Sequence, residues 1–211
     1  MKYNCILLFG APGSGKGTQG KAIGQLPGFV HTSTGDLFRA LDKESEMGKV
    51  FMQYSSKGQL VPDDFTVKLW MQSMKAMETA GKLNAATDIL IMDGIPRSLK
   101  QAALLAETIH VLKILYLDVS DMDRMVERLR LRALKEGRVD DADEKVIRNR
   151  FAVYENETHP VLGFYPAENV AKVDALMTPV RVMEGILKVL IPVREAVDAA
   201  SSGETTLGWR K

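Results

Sequence analysis

The stretch Gly10-Ala11-Pro12-Gly13-Ser14-Gly15-Lys16-Gly17-Thr18 decides the fold of this chain, because it joins two segments of different character. Residues 4–9 before it form an apolar run typical of a buried strand, and residues 16–25 after it are typical of a helix. A glycine-rich turn between a strand and a helix lets backbone N–H groups surround an anion at the positive end of the helix dipole. The sequence therefore predicts an anion-binding loop near the amino terminus.

Three residues of this stretch match the general phosphate-loop pattern, in which two glycines flank four residues and are followed by lysine and a hydroxyl residue. Gly10, Gly15 and Lys16 fit the pattern. Gly17 stands where the hydroxyl residue is expected, and Thr18 comes one place later. We therefore expect a polyphosphate ligand, with Lys16 placing its charge near the β and γ phosphates.

Apolar runs alternate with helical patterns along most of the chain. The predicted strands are residues 4–9, 29–32, 89–92, 114–117 and 170–173. The predicted helices are residues 16–25, 64–80, 98–109, 121–135, 144–157 and 179–197. Strands that alternate with helices indicate an α/β fold, a parallel sheet covered by helices on both faces.

Two features between the second and third predicted strands refine this organisation. Residues 35–62 have the pattern of two short helices, which predicts a small subdomain. The next helix has Asp63 or Asp64 as a candidate cap for its free N–H groups, and Gly81 is placed where it should end. We therefore expect the subdomain to stop at a helix that begins near Asp63.

Composition excludes several classes of protein. The 211 residues include 28 Lys and Arg against 27 Asp and Glu, a net charge of +1, which argues against a nucleic-acid or membrane-surface partner. The single cysteine, Cys5, cannot form an internal disulfide or a multi-cysteine zinc site, and its apolar run predicts a buried residue. The apolar run at residues 5–9 is too short for the core of a signal peptide, and no other stretch reaches membrane-spanning length. We expect a cytoplasmic protein.

An aspartate ends the third predicted strand, in the stretch Asp88-Ile-Leu-Ile-Met-Asp93-Gly94-Ile95-Pro96-Arg97. The carboxyl edge of a parallel sheet is where ligands of open α/β folds collect. Beside a phosphate loop, Asp93 is a candidate to bind Mg²⁺ through water. A helix cap is the alternative interpretation of Asp93 from the sequence alone.

A basic group follows the fourth predicted strand. Its members are Arg128, Arg130, Arg132, Arg138, Arg148 and Arg150. Arg128 and Arg132 are four residues apart and share a helix face. Phosphoryl transfer spreads negative charge over several oxygens, and the guanidinium fork is suited to meet it. For Arg130 and Arg148 we favour an exposed, charged helix face.

The motifs taken together resemble those of the adenylate kinase family. They are residues 10–19, 33–39, 93–97 with Gln101, and 137–141 with Arg150, in order along a span from residue 5 to about residue 190. The resemblance implies a phosphate-loop NTPase-type α/β fold with a five-stranded parallel sheet, a monophosphate-binding insertion at residues 34–63 and a short lid. It implies a monomeric nucleoside monophosphate kinase that converts ATP and AMP into two ADP with Mg²⁺.

The resemblance also assigns roles to particular residues. The expected ATP-binding residues are Gly13, Ser14, Gly15, Lys16, Gly17, Thr18 and, against the adenine, Arg128. The expected AMP-binding residues are Thr34, Arg39, Gln59, Leu60, Val61, Gly94, Arg97, Gln101, Arg138 and Arg150. The expected catalytic residues are Lys16, Arg97, Arg132, Arg138 and Arg150, with Asp93 holding Mg²⁺ through water. Asp140 and Asp141 are expected to hold the arginines of the lid in place.

The sequence departs from the family pattern at several places. Ile95 stands where the family usually has Phe, which is expected to loosen the packing behind Arg97 but to leave its charged group intact. Arg150 follows Arg138 by 12 residues, one more than usual, so either Arg148 or Arg150 is the second phosphate ligand. The lid, residues 133–139, is too short for the zinc-binding lid of some relatives, so we expect no zinc. The kinase domain is expected to cover residues 1–197, and residues 198–211 are expected to form a flexible tail.

Two other functions remain open from the sequence. A uridylate or cytidylate kinase has the same fold, but Thr34 and Gln101 resemble the adenylate enzymes, whereas pyrimidine enzymes tend to have Ala and Asn there. A nucleotide-binding regulator without turnover is the second alternative. Binding alone needs no groups aimed at a transferred phosphoryl, so a regulator is disfavoured by the retained set Lys16, Asp93, Arg97, Arg132 and Arg138.

Overall fold

The computed structural model describes residues 2–138, 141 and 143–202. Within these ranges one five-stranded sheet is present, with strand order β2-β3-β1-β4-β5 and parallel pairing at every ladder. Its strands are β1 (Tyr3–Phe9), β2 (Phe29–Ser33), β3 (Ile89–Asp93), β4 (Ile109–Asp118) and β5 (Val170–Asp174). The predicted α/β class and the five-stranded parallel sheet are therefore confirmed.

Helices cover both faces of this sheet. The α-helices are α1 (Lys16–Ile23), α2 (Thr34–Arg39), α3 (Glu46–Ser55), α4 (Asp63–Thr79), α5 (Leu99–Leu105), α6 (Met122–Glu136), α7 (Glu144–Val153) and α8 (Pro179–Ser202). A π-helical turn (Tyr154–Thr158) and short 3₁₀ turns (His159–Phe164 and Ala167–Asn169) connect α7 to β5. The two short helices predicted between β2 and the long helix are present as α2 and α3.

The central strand β1 sends alternate side chains into two separate cores, as the pleat of a strand requires. Leu7 packs on one face with Trp70 and Met74 of α4. Leu8 packs on the other face with Ile23 of α1, in the cluster that also holds the buried side chains of α8. Cys5 is fully buried on the first face, as predicted. The apolar run is thus a strand buried on both faces.

The connections between strands place a crevice beside β1. Strand β1 lies between β3 and β4. The connection from β1 leads to β2 at one edge of the sheet, and the connection from β4 leads to β5 at the opposite edge. Ligands of open α/β sheets bind where such connections diverge, outside the carboxyl ends of the strands. The phosphate loop follows the carboxyl end of β1, so the topology puts it at this crevice.

Some predicted boundaries were wrong. The helix expected at residues 98–109 ends at Leu105, and β4 begins at Ile109 rather than at residue 114, because Tyr3 of β1 pairs with Ile109. The polar residues His110 and Lys113 hid this part of the strand from an apolar pattern. Pairing with a neighbouring strand, which the sequence does not display, extends β4.

Helix ends also differ from the expectation. Helix α8 continues to Ser202, so residues 198–202 of the expected flexible tail are helical, and residues 203–211 lie outside the described residues. Helix α4 ends before Gly81, which has φ +65°, as predicted. The helix begins at Asp63 with Pro62 at its cap and no side-chain cap bond, so the expected Asp63 or Asp64 cap was wrong. Of the helices in the described ranges, none has the length and apolar character to cross a membrane.

Candidate active site

The phosphate loop connects β1 to α1 through glycines in conformations that other residues avoid. Gly15 caps α1 with φ 97° in the left-handed region. Gly10 has φ +144°, and a methyl group added there would lie 2.6 Å from the carbonyl oxygen of Leu117. The loop is therefore packed against the end of β4. The first N–H groups of α1 have no partners within the helix, so they are available to an anion.

Lys16 lies across this loop. Its Nζ donates to the carbonyl oxygens of Gly10 at 2.6 Å and Ala11 at 3.0 Å. Burial, opposed by Asp93 and assisted by nearby arginines, lowers the pKa of Lys16 to about 8. An ammonium has three donors, so one is left over for a ligand.

The lowered pKa of Lys16 gives a pH prediction. In the free protein Lys16 is protonated below pH of about 8 and loses its charge above it. For ATP, the substrate that the resemblance implies, we expect kcat/KM to fall as pH rises above about 8, because this parameter reports groups of the free protein. We expect kcat to stay level in the same range, because bound phosphates hold the proton on Lys16. Initial rates between pH 6.5 and 9.5 test this, and a flat kcat/KM profile contradicts it.

Asp93 is buried at the end of β3, beside the loop. A methyl group added at Gly17 would lie 3.5 Å from Asp93 Oδ2, so the glycine at the expected hydroxyl position leaves room beside this carboxylate. Burial alone raises the pKa of Asp93, but His31, Lys16 and Arg97 together hold it below its ordinary value. His31 Nε2 lies 3.9 Å from Asp93 Oδ2. Asp93 is thus an ionised carboxylate at the loop. The helix-cap alternative is wrong, because Ser98 caps the next helix, α5.

A pocket lies between the phosphate loop and the subdomain of α2 and α3. It brings together many of the residues expected from the sequence: Lys16, Thr34, Arg39, Gln59, Leu60, Val61, Gly94, Arg97, Gln101 and Arg150. Its apolar wall includes Phe38 and Phe51, whose rings stack with centroids 5.1 Å apart. A pocket with a flat aromatic wall and several cationic groups has the chemistry to hold a base and a phosphate.

Arg97 is held from several sides. Its Nε donates to the carbonyl oxygen of Gly94 at 3.0 Å, and Thr158 Oγ1 donates to the carbonyl oxygen of Arg97 at 3.0 Å. Gly94 has φ +86°, and a methyl group there would lie 2.8 Å from Arg97 Nη2. Glycine is therefore needed at this position both for the turn and to leave space for the guanidinium of Arg97. Ile95, in place of the usual Phe, is 2% exposed in the main core and leaves this turn well packed.

Gln101 is buried at the base of the pocket with both ends of its amide engaged. Its Oε1 accepts from the backbone N–H of Arg97 at 2.7 Å, and its Nε2 donates to Asp63 Oδ1 at 2.9 Å. Ser98 Oγ also donates to Asp63 Oδ1, at 2.8 Å. The carboxylate of Asp63 therefore connects α4 to α5 instead of capping its own helix.

Two of the lid arginines converge on Asp141. Arg132 Nε donates to Asp141 Oδ2 at 2.7 Å, and Arg150 donates to Asp141 Oδ1. The Asp141 side chain is 0% exposed. The expectation that an aspartate holds the arginines is confirmed for Asp141, and Asp140 lies outside the described residues. The shared carboxylate fixes α6 and α7 relative to each other.

The structure separates Arg150 from Arg148. Arg150 lines the pocket, whereas Arg148 is 61% exposed and bonded to Glu144 on the outer face of α7. Arg130 pairs with the same Glu144. The exposed face predicted for Arg130 and Arg148 is therefore confirmed, and the geometry favours Arg150 as the phosphate ligand.

The remaining arginines lie at the edges of the site. Arg128 Nη1 donates to the carbonyl oxygen of Ala175, next to β5, away from the pocket described above. Arg138 Nε donates to Glu136 Oε2 at 2.7 Å. The expected lid begins as helix, since α6 runs through Glu136 and ends at Gly137, and Val139 lies outside the described residues.

Contacts outside the motifs complete the site. Asn149 Nδ2 donates to the carbonyl oxygen of Lys57 at 2.7 Å, and a methyl group added at Gly58 would lie 2.9 Å from Arg150 Cγ. The loop after α3 is therefore in contact with the arginine-bearing helix α7. Sequence reasoning missed this contact, the roles of Phe38 and Thr158 and the link through Asp63, because the partners are far apart in the chain.

The fold and the site define a class of protein. A parallel sheet of this order, with a phosphate loop at the switch point and arginines opposite it, is that of a phosphate-loop nucleotide-binding protein. The family model described as adenylate kinase matches residues 8–170. The chain therefore belongs to the adenylate kinase family, and it is an enzyme of the nucleoside monophosphate kinase class.

Curated proteins named adenylate kinase are similar to this chain over most of their own length. An adenylate kinase of Flavobacterium psychrophilum is 38% identical over 166 residues, which cover 76% of this chain and 83% of the relative. One of Kocuria rhizophila is 35% identical over 191 residues, which cover 88% of this chain and 97% of the relative. One of Thermus thermophilus is 35% identical, with 82% of this chain and 90% of the relative covered.

Proposed function

We propose that this protein transfers a phosphoryl group reversibly from ATP to AMP, giving two ADP, and so balances the pool of adenine nucleotides. The observation that carries the proposal is the convergence of Lys16, Arg97 and Arg150 on a pocket whose base holds Gln101. Cationic groups placed around one point can stabilise the charge of a transferred phosphoryl group. An amide at the other end of the pocket can form hydrogen bonds with a base. The names of the relatives support the same activity.

The two nucleotides would occupy separate parts of the crevice. ATP would lie along the loop from Gly13 to Thr18, with its adenine near Arg128. AMP would lie in the pocket, with its phosphate near Arg39, Arg97 and Arg150 and with Gln59, Leu60 and Val61 along its base. Arg138, which is not part of the pocket lining, would approach the phosphate from the lid. This arrangement directs the AMP phosphate toward the γ-phosphoryl group held at Lys16.

The chemistry needs no protein nucleophile. An oxygen of the AMP phosphate attacks the γ phosphorus of ATP, and the bond from that phosphorus to the bridging oxygen of ADP breaks. Lys16 and Arg97 would stabilise the charge that spreads over the transferred oxygens, and Arg132 and Arg150 would approach from the lid side. Catalysis then consists of positioning and charge stabilisation. Exclusion of water by the subdomain and lid prevents hydrolysis of ATP.

Mg²⁺ fits the site as a companion of ATP. In the described ranges no group of three or more His, Cys, Asp and Glu side chains could hold a metal. Mg²⁺ typically takes one or two carboxylates together with phosphate oxygens and waters, and Asp93 is an ionised carboxylate beside the phosphate loop. Asp93 would hold it through water, and the ion would supply positive charge to the phosphate oxygens. We expect no zinc and a monomeric, cytoplasmic enzyme.

A panel of nucleoside monophosphates tests the proposal. Purified protein with ATP and Mg²⁺ is expected to convert AMP to ADP at a rate at least about tenfold above that with CMP or UMP, since a bidentate base contact is worth about 1–3 kcal/mol. A coupled assay for ADP measures this. Equal rates with CMP favour the pyrimidine kinase. Nucleotide binding without ADP formation favours the regulator.

A further inference from the structure

We propose that Asp63 is a positioning residue for base specificity, which locks the Gln101 amide in one orientation. In that orientation the site accepts a base whose amino group faces Gln101. It rejects a base that presents a carbonyl group to Gln101. This inference rests on the proposed function, in which Gln101 contacts the base of the acceptor monophosphate. It adds a residue outside the motifs that carry the resemblance.

The partners of Gln101 permit only one orientation of the amide. A backbone N–H can only donate, so the group that faces the N–H of Arg97 at 2.7 Å must be the oxygen Oε1. Asp63 Oδ1 also accepts from the Ser98 hydroxyl, so it acts as an acceptor, and the group that faces it at 2.9 Å must be the nitrogen Nε2. A flipped amide would set N–H against N–H and oxygen against oxygen. Asp63 and Arg97 together therefore prevent the flip.

The locked amide has one donor and one acceptor to spare. An amide carries two N–H groups and two lone pairs, and the network uses one of each. Gln101 lines the pocket although it is only 1% exposed, so little solvent competes for the remaining groups. Adenine offers an amino donor next to a ring-nitrogen acceptor, which matches this pair. Hypoxanthine offers a carbonyl in place of the amino group, so its oxygen would face Oε1.

Asp63 is itself fixed for this role. Ser98 caps α5 by accepting from the backbone N–H of Gln101 at 3.1 Å, and the same hydroxyl donates to Asp63 Oδ1 at 2.8 Å. Because the Ser98 proton points to Asp63, an acceptor is required there. The neighbouring Asp64 is different, since it forms an exposed ion pair with Lys100 at 2.6 Å. Asp64 is therefore a matched control on the same helix turn.

The test compares AMP with IMP as acceptors, using ATP and Mg²⁺ and measuring kcat/KM for each. We expect the IMP to AMP ratio to rise at least about fivefold in Asp63→Ala, because turning Nε2 toward a carbonyl then costs only the contact with the Arg97 N–H instead of both contacts. Asp63→Asn is expected to keep the wild-type ratio, since Ser98 and Gln101 both donate to Oδ1 and the asparagine oxygen can take that place. Asp64→Ala is expected to keep it as well.

The ratio separates specificity from structural damage, because a loosened fold lowers both rates and leaves their ratio unchanged. A ratio that rises less than fivefold in folded Asp63→Ala overturns this inference alone. If Asp63→Ala does not fold, Asp63→Leu, which occupies similar space without an acceptor, takes its place under the same fivefold criterion. In the wild-type enzyme, a preference for AMP over IMP of less than tenfold also overturns the inference, because a locked amide must discriminate between the two bases. A wild-type protein that phosphorylates neither acceptor overturns the proposed function and this inference with it.

Discussion

Arg97→Ala is expected to lower kcat by about 10³-fold or more while the protein stays folded, because an arginine at a phosphoryl-transfer transition state is worth about 10³–10⁵ in kcat. Arg97 lines the pocket, and its guanidinium is oriented by the Gly94 carbonyl at 3.0 Å. Alanine removes both the charge and the fork that could meet two phosphate oxygens. Initial rates at saturating ATP and AMP measure the effect.

The controls for Arg97 separate charge from geometry. Arg97→Lys keeps the charge without the fork and is expected to recover only part of the loss, since lysine acts as a point charge. Arg148→Ala removes an exposed arginine bonded to Glu144 and is expected to leave kcat within about twofold, as surface ion pairs contribute little. Near-normal kcat in folded Arg97→Ala contradicts the proposed role.

Asp141→Asn is expected to lower the free energy of unfolding by about 3 kcal/mol, because breaking a buried ion pair leaves a charge uncompensated. The Asp141 side chain is fully buried between Arg132 and Arg150. Asparagine keeps its shape but sets an N–H₂ group against a guanidinium. We also expect kcat to fall about 10²-fold, the usual cost of a small misplacement near the chemistry.

The matched control for Asp141 is Glu144→Gln. Glu144 also pairs with two arginines, Arg130 and Arg148, but on the exposed face of α7. Water already solvates those charges, so we expect almost no change in stability or in kcat. Urea unfolding and initial rates of both variants measure the difference. Equal effects of the two substitutions contradict the role assigned to Asp141.

The phosphate loop shows why part of this site is predictable from local sequence. A tight turn with left-handed backbone at Gly15 needs glycine, and Lys16 at the start of a helix can reach the ligand only from there. Both requirements act over a few residues, so they appear as a motif. The same holds for the buried run of β1 and for Asp93 at the end of β3, where strand position and chemistry are adjacent.

Strand pairing and side-chain partners were less predictable. The first residues of β4 are paired with β1 although His110 and Lys113 interrupt their apolar pattern. Asp63 fits a helix-cap pattern, but its carboxylate accepts from Gln101, 38 residues further along the chain. A short polar side chain at a helix start can bond its own backbone or a neighbour with similar energy, and only packing selects between them.

The sequence by itself determined the α/β class, the phosphate loop with Lys16, and the arginines from which the site is built, because each depends on residues close together in the chain. Only the tertiary structure decided that Arg150 rather than Arg148 lines the pocket, and that the carboxylate of Asp63 accepts from the amide of Gln101. The physical reason is that hydrogen-bond partners are selected by how helices pack on the sheet, and that packing brings together residues that no local pattern connects.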